Sequence, residues 1–223
     1  MPQPATTRPD GGARPAAILL VGPTGSGKTP LGDLLEARGL WGRPCAHFDF
    51  GARLRRCAAG EGTPGLLAPA ECAFLVRVLE SGALLEDEHF PIARKVLGAF
   101  LRGLPPDGRT RVVLNGLPRH PGQARDMEAL VAVEAVVRLA CRPEVALERV
   151  RTNAGGDRAG RPDGEAGAMR QRLALFEERT APLVAWYAAR GARVETIDVE
   201  ADTTAEAIRA RLEARPPADK PAR

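Results

Sequence analysis

Short apolar stretches recur along the chain, and the segments between them have helical spacing. Five stretches of strand length lie at 16–22, 45–50, 111–116, 135–141 and 193–199. Between them, apolar residues return every three or four positions, most clearly within 68–82, 165–190 and 203–214. Strands that alternate with helices predict an α/β fold, with a central five-stranded parallel sheet covered by helices on both faces.

Two segments interrupt this alternation and are predicted to be insertions into one domain that spans 15–214. Residues 51–104 form a long, mostly helical excursion between the second and third strands. Residues 152–168 are rich in glycine and polar residues, which is typical of a loop. The ends of the chain lack apolar periodicity, so 1–14 is predicted to be a disordered lead-in and 215–223 a flexible tail.

A glycine-rich motif follows the first apolar stretch and precedes a helical one. The sequence GPTGSGKT fills the pattern G-x-x-x-x-G-K-[S/T], in which backbone N–H groups and a helix N-terminus hold phosphates. Lys28 is predicted to reach the β- and γ-phosphates of a nucleoside triphosphate, and the Thr29 hydroxyl to ligate Mg²⁺. The predicted ATP-binding residues are Gly22, Pro23, Thr24, Gly25, Ser26, Gly27, Lys28 and Thr29.

A second motif, at the end of the third predicted strand, narrows the class of phosphate-binding protein. The stretch NGLPRHPGQ at 115–123 resembles the [D/N]-G-[F/Y]-P-R-x-x-x-Q motif of adenylate kinases and other nucleoside monophosphate kinases. The resemblance covers most of the chain, from about 16 to 214. It is carried further by DFGARLR (49–55), ESGALLEDE (80–88), GRPDG (160–164) and RQRLALFEERTAPLVAWYAARG (170–191).

The resemblance implies a P-loop kinase fold of the short-lid type without zinc. In this family the excursion 51–104 would be the helical arm that binds the nucleoside monophosphate, and 152–168 the short lid. The implied reaction transfers the γ-phosphoryl group of MgATP to a nucleoside monophosphate, with AMP as the expected acceptor. The implied partners are these two nucleotides, with neither nucleic acid nor membrane, and the expected enzyme is a cytoplasmic monomer.

The resemblance also implies roles for individual side chains, many of them arginines, whose planar forks bind phosphate oxygens bidentately. The implied catalytic residues are Lys28, Arg119, Arg161 and Arg172. The implied residues of the monophosphate site are Phe50, Arg55, Leu84, Leu85, Gly116, Arg119 and Gln123. Arg149 matches an arginine that stacks on the donor adenine, which makes it a further predicted ATP-binding residue.

Composition limits how much a single arginine can prove. The formal net charge is +4, and 29 of the 32 basic residues are arginines spread along the whole chain, which does not indicate a nucleic-acid patch. Only several arginines at fixed offsets, such as Arg161 and Arg172, carry weight. The four cysteines are scattered without a C-x-x-C pair, which argues against a zinc site and fits a reducing cytoplasm.

The sequence departs from the family pattern at positions that bear on the metal and on the acceptor base. Ala52 and Asn115 stand where the family has aspartates that hold Mg²⁺ through water, and Asp49 is a candidate substitute. Phe50 stands where a threonine commonly meets adenine, and Leu117 replaces the aromatic residue of the strand-end motif. These departures leave the metal arrangement and the identity of the acceptor base open.

Two other functions therefore remain open. One is a P-loop kinase with a different acceptor, which could be CMP, UMP or a small non-nucleotide metabolite. The P-R-x-x-x-Q motif argues against the non-nucleotide acceptor. The other is a catalytically silent nucleotide-binding module, which Ala52 and Asn115 favour. In the lid, Asn153 occupies the place of a second arginine, which Arg151 or Arg158 could supply.

Overall fold

A single parallel sheet forms the centre of the molecule. The computed structural model describes residues 14–62, 65–81, 83, 85–157 and 166–216. Within these ranges the strands are β1 (Ala16–Val21), β2 (Cys45–Asp49), β3 (Arg111–Asn115), β4 (Ala132–Cys141) and β5 (Arg193–Val199). Their order is β2-β3-β1-β4-β5, and every neighbouring pair is parallel. The predicted five-stranded parallel sheet is confirmed, although β4 begins at Ala132 instead of at 135.

Helices fill the connections between these strands. In the described ranges they are α1 (Lys28–Arg38), α2 (Phe50–Ala58), α3 (Pro69–Ser81), α4 (Phe90–Arg102), α5 (Pro121–Met127), α6 (Pro143–Arg151), α7 (Ala166–Leu175), α8 (Leu183–Ala188) and α9 (Ala205–Glu213). A 3₁₀ turn at Asp87–His89 leads into α4, and a π-helical turn at Phe176–Thr180 follows α7. The excursion between β2 and β3 is thus largely helical, as predicted.

Helices bury both faces of the sheet, and successive side chains of a strand point to opposite faces. Ile18 and Leu20 of β1 belong to an apolar cluster that includes residues of α1 and α9. Leu19 and Val21 belong to the opposite cluster, with residues of α4, α5 and α8. The continuous apolar run of β1 therefore supports two cores at once, as the predicted double covering of the sheet requires.

The stretch at 165–190 is not one regular helix, in contrast to its even amphipathic pattern. The α7 helix ends at Leu175, a π-helical turn follows, and α8 begins at Leu183. In that turn the Ala181 N–H donates to the Phe176 carbonyl at 2.8 Å, one residue further back than in an α-helix. Pro182 explains the change, because proline lacks an N–H and its ring collides with the carbonyl four residues before it.

The carboxyl ends of β1, β2 and β3 meet at one edge of the sheet. The glycine-rich loop follows β1, β2 ends at Asp49, and β3 ends at Asn115, which pairs in register with Asp49. The neighbouring strands β1 and β3 connect in opposite directions along the sheet: β1 leads to β2 at one edge, and β3 leads to β4 on the far side of β1. Open α/β sheets bind ligands where two adjacent strands diverge in this way. The fold therefore brings the two motifs of the sequence together.

The contact between α1 and β2 predicts a severe effect of a small substitution. Gly32 of α1 is buried against the imidazole of His47, and a methyl group on Gly32 would overlap that ring. The ring is fixed, since His47 Nδ1 lies 2.8 Å from Asp33 Oδ1. We expect Gly32→Ala to lower the free energy of unfolding by about 1–3 kcal/mol, measured by urea denaturation.

Gly98→Ala in α4 is the matched control. A methyl group there would lie 3.6 Å from Arg102 Nη1, an ordinary contact, so the change should stabilise the helix by about 0.5–1 kcal/mol. Equal stability of the two variants would contradict the tight packing of Gly32 on His47.

Candidate active site

The glycine-rich loop between β1 and α1 has the backbone shape that its sequence predicts. Gly25 and Gly27 have φ angles of 87° and 90°, in the left-handed region that favours glycine. At Gly22 a Cβ atom would come within 2.6 Å of Ser26 Oγ and 2.9 Å of the Leu139 carbonyl oxygen. The loop thus turns tightly into the N-terminus of α1, which points its free N–H groups and positive dipole at the loop.

Lys28 lies partly buried at the first position of α1. Its ammonium donates to the carbonyl oxygens of Gly22 at 2.6 Å and Pro23 at 2.7 Å. Burial, followed by the positive charge of Arg119, lowers the pKa of Lys28 from 10.5 to about 7, and the carboxylate of Asp49 opposes the shift. The lysine of the first motif and the arginine of the second therefore act on each other across a shared space.

The Thr29 hydroxyl joins a polar cluster at the strand ends. Thr29 Oγ1 donates to Asp49 Oδ2 at 2.8 Å and accepts from Asn115 Nδ2 at 3.0 Å. Asn115 Nδ2 also lies 3.2 Å from Asp49 Oδ2. Hydroxyl and carboxylate oxygens are suitable ligands for Mg²⁺, so these residues fit the metal that the P-loop motif implies.

Arg119 is held in place through its backbone. Its N–H donates to Gln123 Oε1 at 2.8 Å, and its carbonyl accepts from Thr180 Oγ1 at 2.8 Å. Gln123 Nε2 in turn donates to the Leu85 carbonyl at 2.7 Å, which ties Arg119 to the segment before α4. Burial, followed by the charge of Arg172, lowers the pKa of Arg119 below its ordinary value. The backbone of Arg119 is thus held at both its N–H and its carbonyl, and its side chain lies near other cations.

One cleft of about 410 Å³ joins these groups. Its lining includes many of the predicted site residues, namely Gly22, Thr24, Gly25, Gly27, Lys28, Thr29, Phe50, Arg55, Leu85, Gly116, Arg119, Gln123 and Arg172. Pro23, Ser26 and Arg149 are not among the lining residues, and Leu84 and Arg161 lie outside the described residues. The strand-end and P-loop motifs therefore face the same space.

Arg149 of α6 lies beside the glycine-rich loop and is only 4% exposed. Its Nε donates to the Gly25 carbonyl at 3.0 Å, and its Nη1 donates to the carbonyls of Glu200, Ala201 and Thr203 at 2.8–3.0 Å. The guanidinium thus ties the loop to the turn after β5. Its predicted stacking on a donor adenine stays a prediction.

The part of the cleft lining that α2 supplies is mostly apolar. Phe50 begins α2, is buried, and stacks on Phe48 with ring centroids 6.0 Å apart. Arg55, one turn further along α2, lies against Gly51, where a Cβ atom would be 3.3 Å from its Nη1. Leu54 also lines this side. An aromatic and aliphatic wall next to an arginine is suited to a base attached to a phosphate.

Several cleft residues were not singled out from the sequence. Thr180, Leu175 and Phe176 line the cleft from the π-helical turn and the end of α7, a geometry that no spacing in the sequence indicates. Asp157, at the edge of the predicted lid, also lines the cleft, and its charge opposes the lowering of the Lys28 pKa. The strong positive charge of the cleft is thus partly balanced by Asp49 and Asp157.

A metal site made by protein ligands alone is not found in the part of the chain that the structure describes. There, no group of three or more His, Cys, Asp or Glu side chains could hold an ion. A Mg²⁺ ion at Thr29 would therefore take the remainder of its ligands from phosphates and water, as this ion commonly does. Within the same ranges, no helix is both long and apolar enough to cross a membrane.

The fold and the cleft together define a P-loop kinase, and several known proteins are similar to the chain over most of its length. No protein-family model matches the chain. The chain is 34% identical over 188 residues to adenylate kinase from Stenotrophomonas maltophilia (strain R551-3), covering 81% of this chain and 90% of that one. It is 32% identical over 203 residues to adenylate kinase from Synechococcus sp. (strain WH7803), covering 88% and 96%. It is 31% identical over 189 residues to adenylate kinase from Parvibaculum lavamentivorans, covering 81% of this chain and 83% of that one. The chain therefore belongs to the adenylate kinase family of nucleoside monophosphate kinases.

The lowered pKa of Lys28 predicts a pH dependence of stability. The folded protein loses the Lys28 proton near pH 7, whereas the unfolded chain keeps it up to the ordinary value of 10.5. Because the unfolded state binds more protons between these values, the contribution of Lys28 to the free energy of unfolding rises with pH across this window. Lys28→Met lacks this contribution, so urea denaturation should show wild type gaining on the variant from about pH 7 to about pH 10.

Lys95→Met is the control, since Lys95 is exposed and pairs with Glu71 at 2.7 Å, away from the cleft lining. If the curves of stability against pH stay parallel for wild type and Lys28→Met, the folded protein does not lower the pKa of Lys28, which would contradict the prediction.

Proposed function

We propose that this protein transfers the γ-phosphoryl group of MgATP to AMP and forms two molecules of ADP. The observation that carries the proposal is the presence of Lys28 and Arg119 in one cleft, close enough for each charge to matter to the other. Partly buried cations that repel one another are stabilised by anions placed between them, and two phosphate chains would supply those anions. The relatives named adenylate kinase support AMP as the acceptor.

The donor side of the proposed reaction is the glycine-rich loop. Its backbone N–H groups and Lys28 would hold the β- and γ-phosphates, and Arg149 would lie beside the donor adenine. Thr29 would hold Mg²⁺, which when bound neutralises charge on these phosphates. Arg149 is already fixed against the loop by its bond to the Gly25 carbonyl.

The acceptor side would be formed by the arm at 51–104 and the end of β3. Arg55 and Arg119 would grip the phosphate of the monophosphate, because both line the cleft facing the loop. The base would lie against the apolar wall, with Gln123 at its edge. The proposed contacts of the base and sugar are Phe50, Leu84, Leu85, Gly116 and Gln123.

Transfer itself would need positioning and charge more than acid–base chemistry. The attacking phosphate oxygen is already ionised, so a general base is not required. Arg172, which lines the cleft, would bind the phosphoryl group in flight together with Arg161 of the lid at 152–168. Closure of the lid and the arm over the cleft would keep water from taking the γ-phosphoryl group.

The direct test of this function is a phosphorus NMR assay with MgATP and each of AMP, CMP, UMP, GMP and dTMP in turn. We expect the diphosphate signal to appear fastest with AMP. Turnover with only one other monophosphate would identify that nucleotide, and not AMP, as the acceptor. ATP binding without turnover across the panel would contradict the proposal and favour a silent nucleotide-binding module.

The proposed division of the cleft predicts a selective effect of Arg119→Ala. Loss of a cation that touches only the acceptor phosphate and the transferring group should lower kcat/KM for the monophosphate by about 10²–10³-fold. The dissociation constant of ATP, measured by titration calorimetry, should stay within about twofold, since Arg119 is not proposed to bind the donor.

Arg125→Ala provides the matched control, because Arg125 lies exposed on α5 in the same connection and does not line the cleft. An equal loss of ATP affinity and acceptor affinity in Arg119→Ala would mean that Arg119 does not belong to the acceptor side.

A further inference from the structure

The polar cluster at the ends of β2 and β3 contains a carboxylate and an amide in direct contact. Asp49 and Asn115 face each other in register across the two strands, and Asn115 Nδ2 lies 3.2 Å from Asp49 Oδ2. Both groups also contact the Thr29 hydroxyl, at 2.8 Å and 3.0 Å. The three side chains line the cleft beside the glycine-rich loop, so they meet whatever binds there.

The orientation of the Asn115 amide follows from its neighbours. An ionised carboxylate only accepts hydrogen bonds, so the amide must present its NH₂ group to Asp49. The same NH₂ group lies 3.4 Å from His47 Nε2, whose other ring nitrogen is 2.8 Å from Asp33 Oδ1. A proton on His47 Nδ1 satisfies Asp33 and leaves Nε2 free to accept from Asn115. The amide is thereby fixed from behind by α1 and β2.

Positions 49 and 115 are so close that only one of them can readily carry a negative charge. If both were carboxylates, two like charges would lie about 3 Å apart, and such a pair raises the pKa of one member strongly. Position 52, one turn further along α2, is alanine and contributes only its backbone N–H, which donates to Asp49 Oδ1 at 2.8 Å. Of the residues at 49, 52 and 115, Asp49 alone carries a carboxylate.

The two oxygens of Asp49 have separate partners. Oδ1 caps the N-terminus of α2 through Ala52, whereas Oδ2 faces Thr29 and Asn115 in the cleft. A helix cap needs only the first of these contacts. The second places a negative charge beside the hydroxyl that the P-loop motif assigns to Mg²⁺.

We propose that Asp49, at the end of β2, is the carboxylate of the metal site in this chain. Asp49 supplies the negative charge that favours Mg²⁺ beside Thr29, and Asn115 is a positioning residue that holds Asp49 through its NH₂ group. The inference rests on the proposed binding of MgATP and adds the residue that recognises the ion. It explains how a site with Ala52 and Asn115 keeps a carboxylate.

The test measures metal binding and not turnover. Mn²⁺ replaces Mg²⁺, β,γ-methylene-ATP replaces ATP, and free Mn²⁺ is followed by its EPR signal. Asp49→Asn keeps a good helix cap through Oδ1, removes the charge, and replaces the acceptor Oδ2 with an NH₂ donor. We expect it to weaken Mn²⁺ binding to the protein–analogue complex by about 10- to 100-fold. The affinity for the metal-free analogue should not fall, since a repelling charge has been removed.

The double variant Asp49→Asn/Asn115→Asp transfers the charge to the paired position on the neighbouring strand. We expect it to bind Mn²⁺ within about threefold of wild type, because the charge is again beside Thr29. Asp126→Asn, which removes an exposed carboxylate from α5, is the control and should leave Mn²⁺ affinity unchanged. Urea denaturation of each variant shows whether it is folded before its metal affinity is compared.

Each result decides the proposal. If Asp49→Asn binds Mn²⁺ as tightly as wild type, Asp49 serves only as a helix cap and the proposal is wrong. If the folded double variant does not regain Mn²⁺ affinity, a carboxylate at position 115 cannot replace Asp49, and the proposal is again wrong. Absence of analogue binding by wild type would overturn the proposed function and this inference together. A full effect of Asp49→Asn on Mn²⁺ binding, without phosphoryl transfer to any monophosphate, would overturn the proposed function alone.

Discussion

The repulsion between partly buried positive charges in the cleft is the constraint on which the rest of the site depends. Lys28 begins α1, after β1, and Arg119 follows β3, and burial and the charge of Arg119 lower the pKa of Lys28 to about 7. Such an arrangement is unfavourable by itself, because charged groups lose hydration when they are buried. It becomes favourable when polyanions occupy the cleft, and this links the energetics of the fold to the binding of two phosphate chains.

Hydrogen bonds to backbone atoms hold Lys28, Arg119 and Arg149 in this arrangement. The glycine-rich loop holds the Lys28 ammonium with two carbonyl oxygens, while Gln123 and Thr180 fix Arg119 at both its N–H and its carbonyl. Arg149 fixes the loop itself to the turn after β5. Because Arg119 is held at its backbone N–H and carbonyl, these two contacts do not occupy its guanidinium, which can bind phosphates.

Much of the fold could be predicted from the sequence, because it rests on local patterns. The strands follow from apolar runs, and the loop at 22–29 follows from a spacing that its backbone geometry requires. The π-helical turn before Pro182 could not be predicted, because the amphipathic pattern continues through it while the hydrogen bonds change. Proline marks a disturbance but does not determine its form.

The candidate site was predictable in its members and less so in their partners. Lys28, Arg119 and Arg172 share the cleft, as motif positions implied. That Gln123 uses both ends of its amide on the backbone, and that Asp49 contacts Thr29 twenty residues away, depends on how strands lie side by side. Such through-space contacts have no signature in the spacing of one sequence.

The central claim is that donor and acceptor phosphates meet in one cleft between Lys28 and Arg119. The most direct measurement is titration calorimetry with two adenosines joined by a chain of five phosphates, a ligand that spans both sides. The account predicts one molecule bound per chain, with an affinity well above that of ATP, because the second half binds intramolecularly. Two molecules per chain, or an affinity no better than that of ATP, would contradict it.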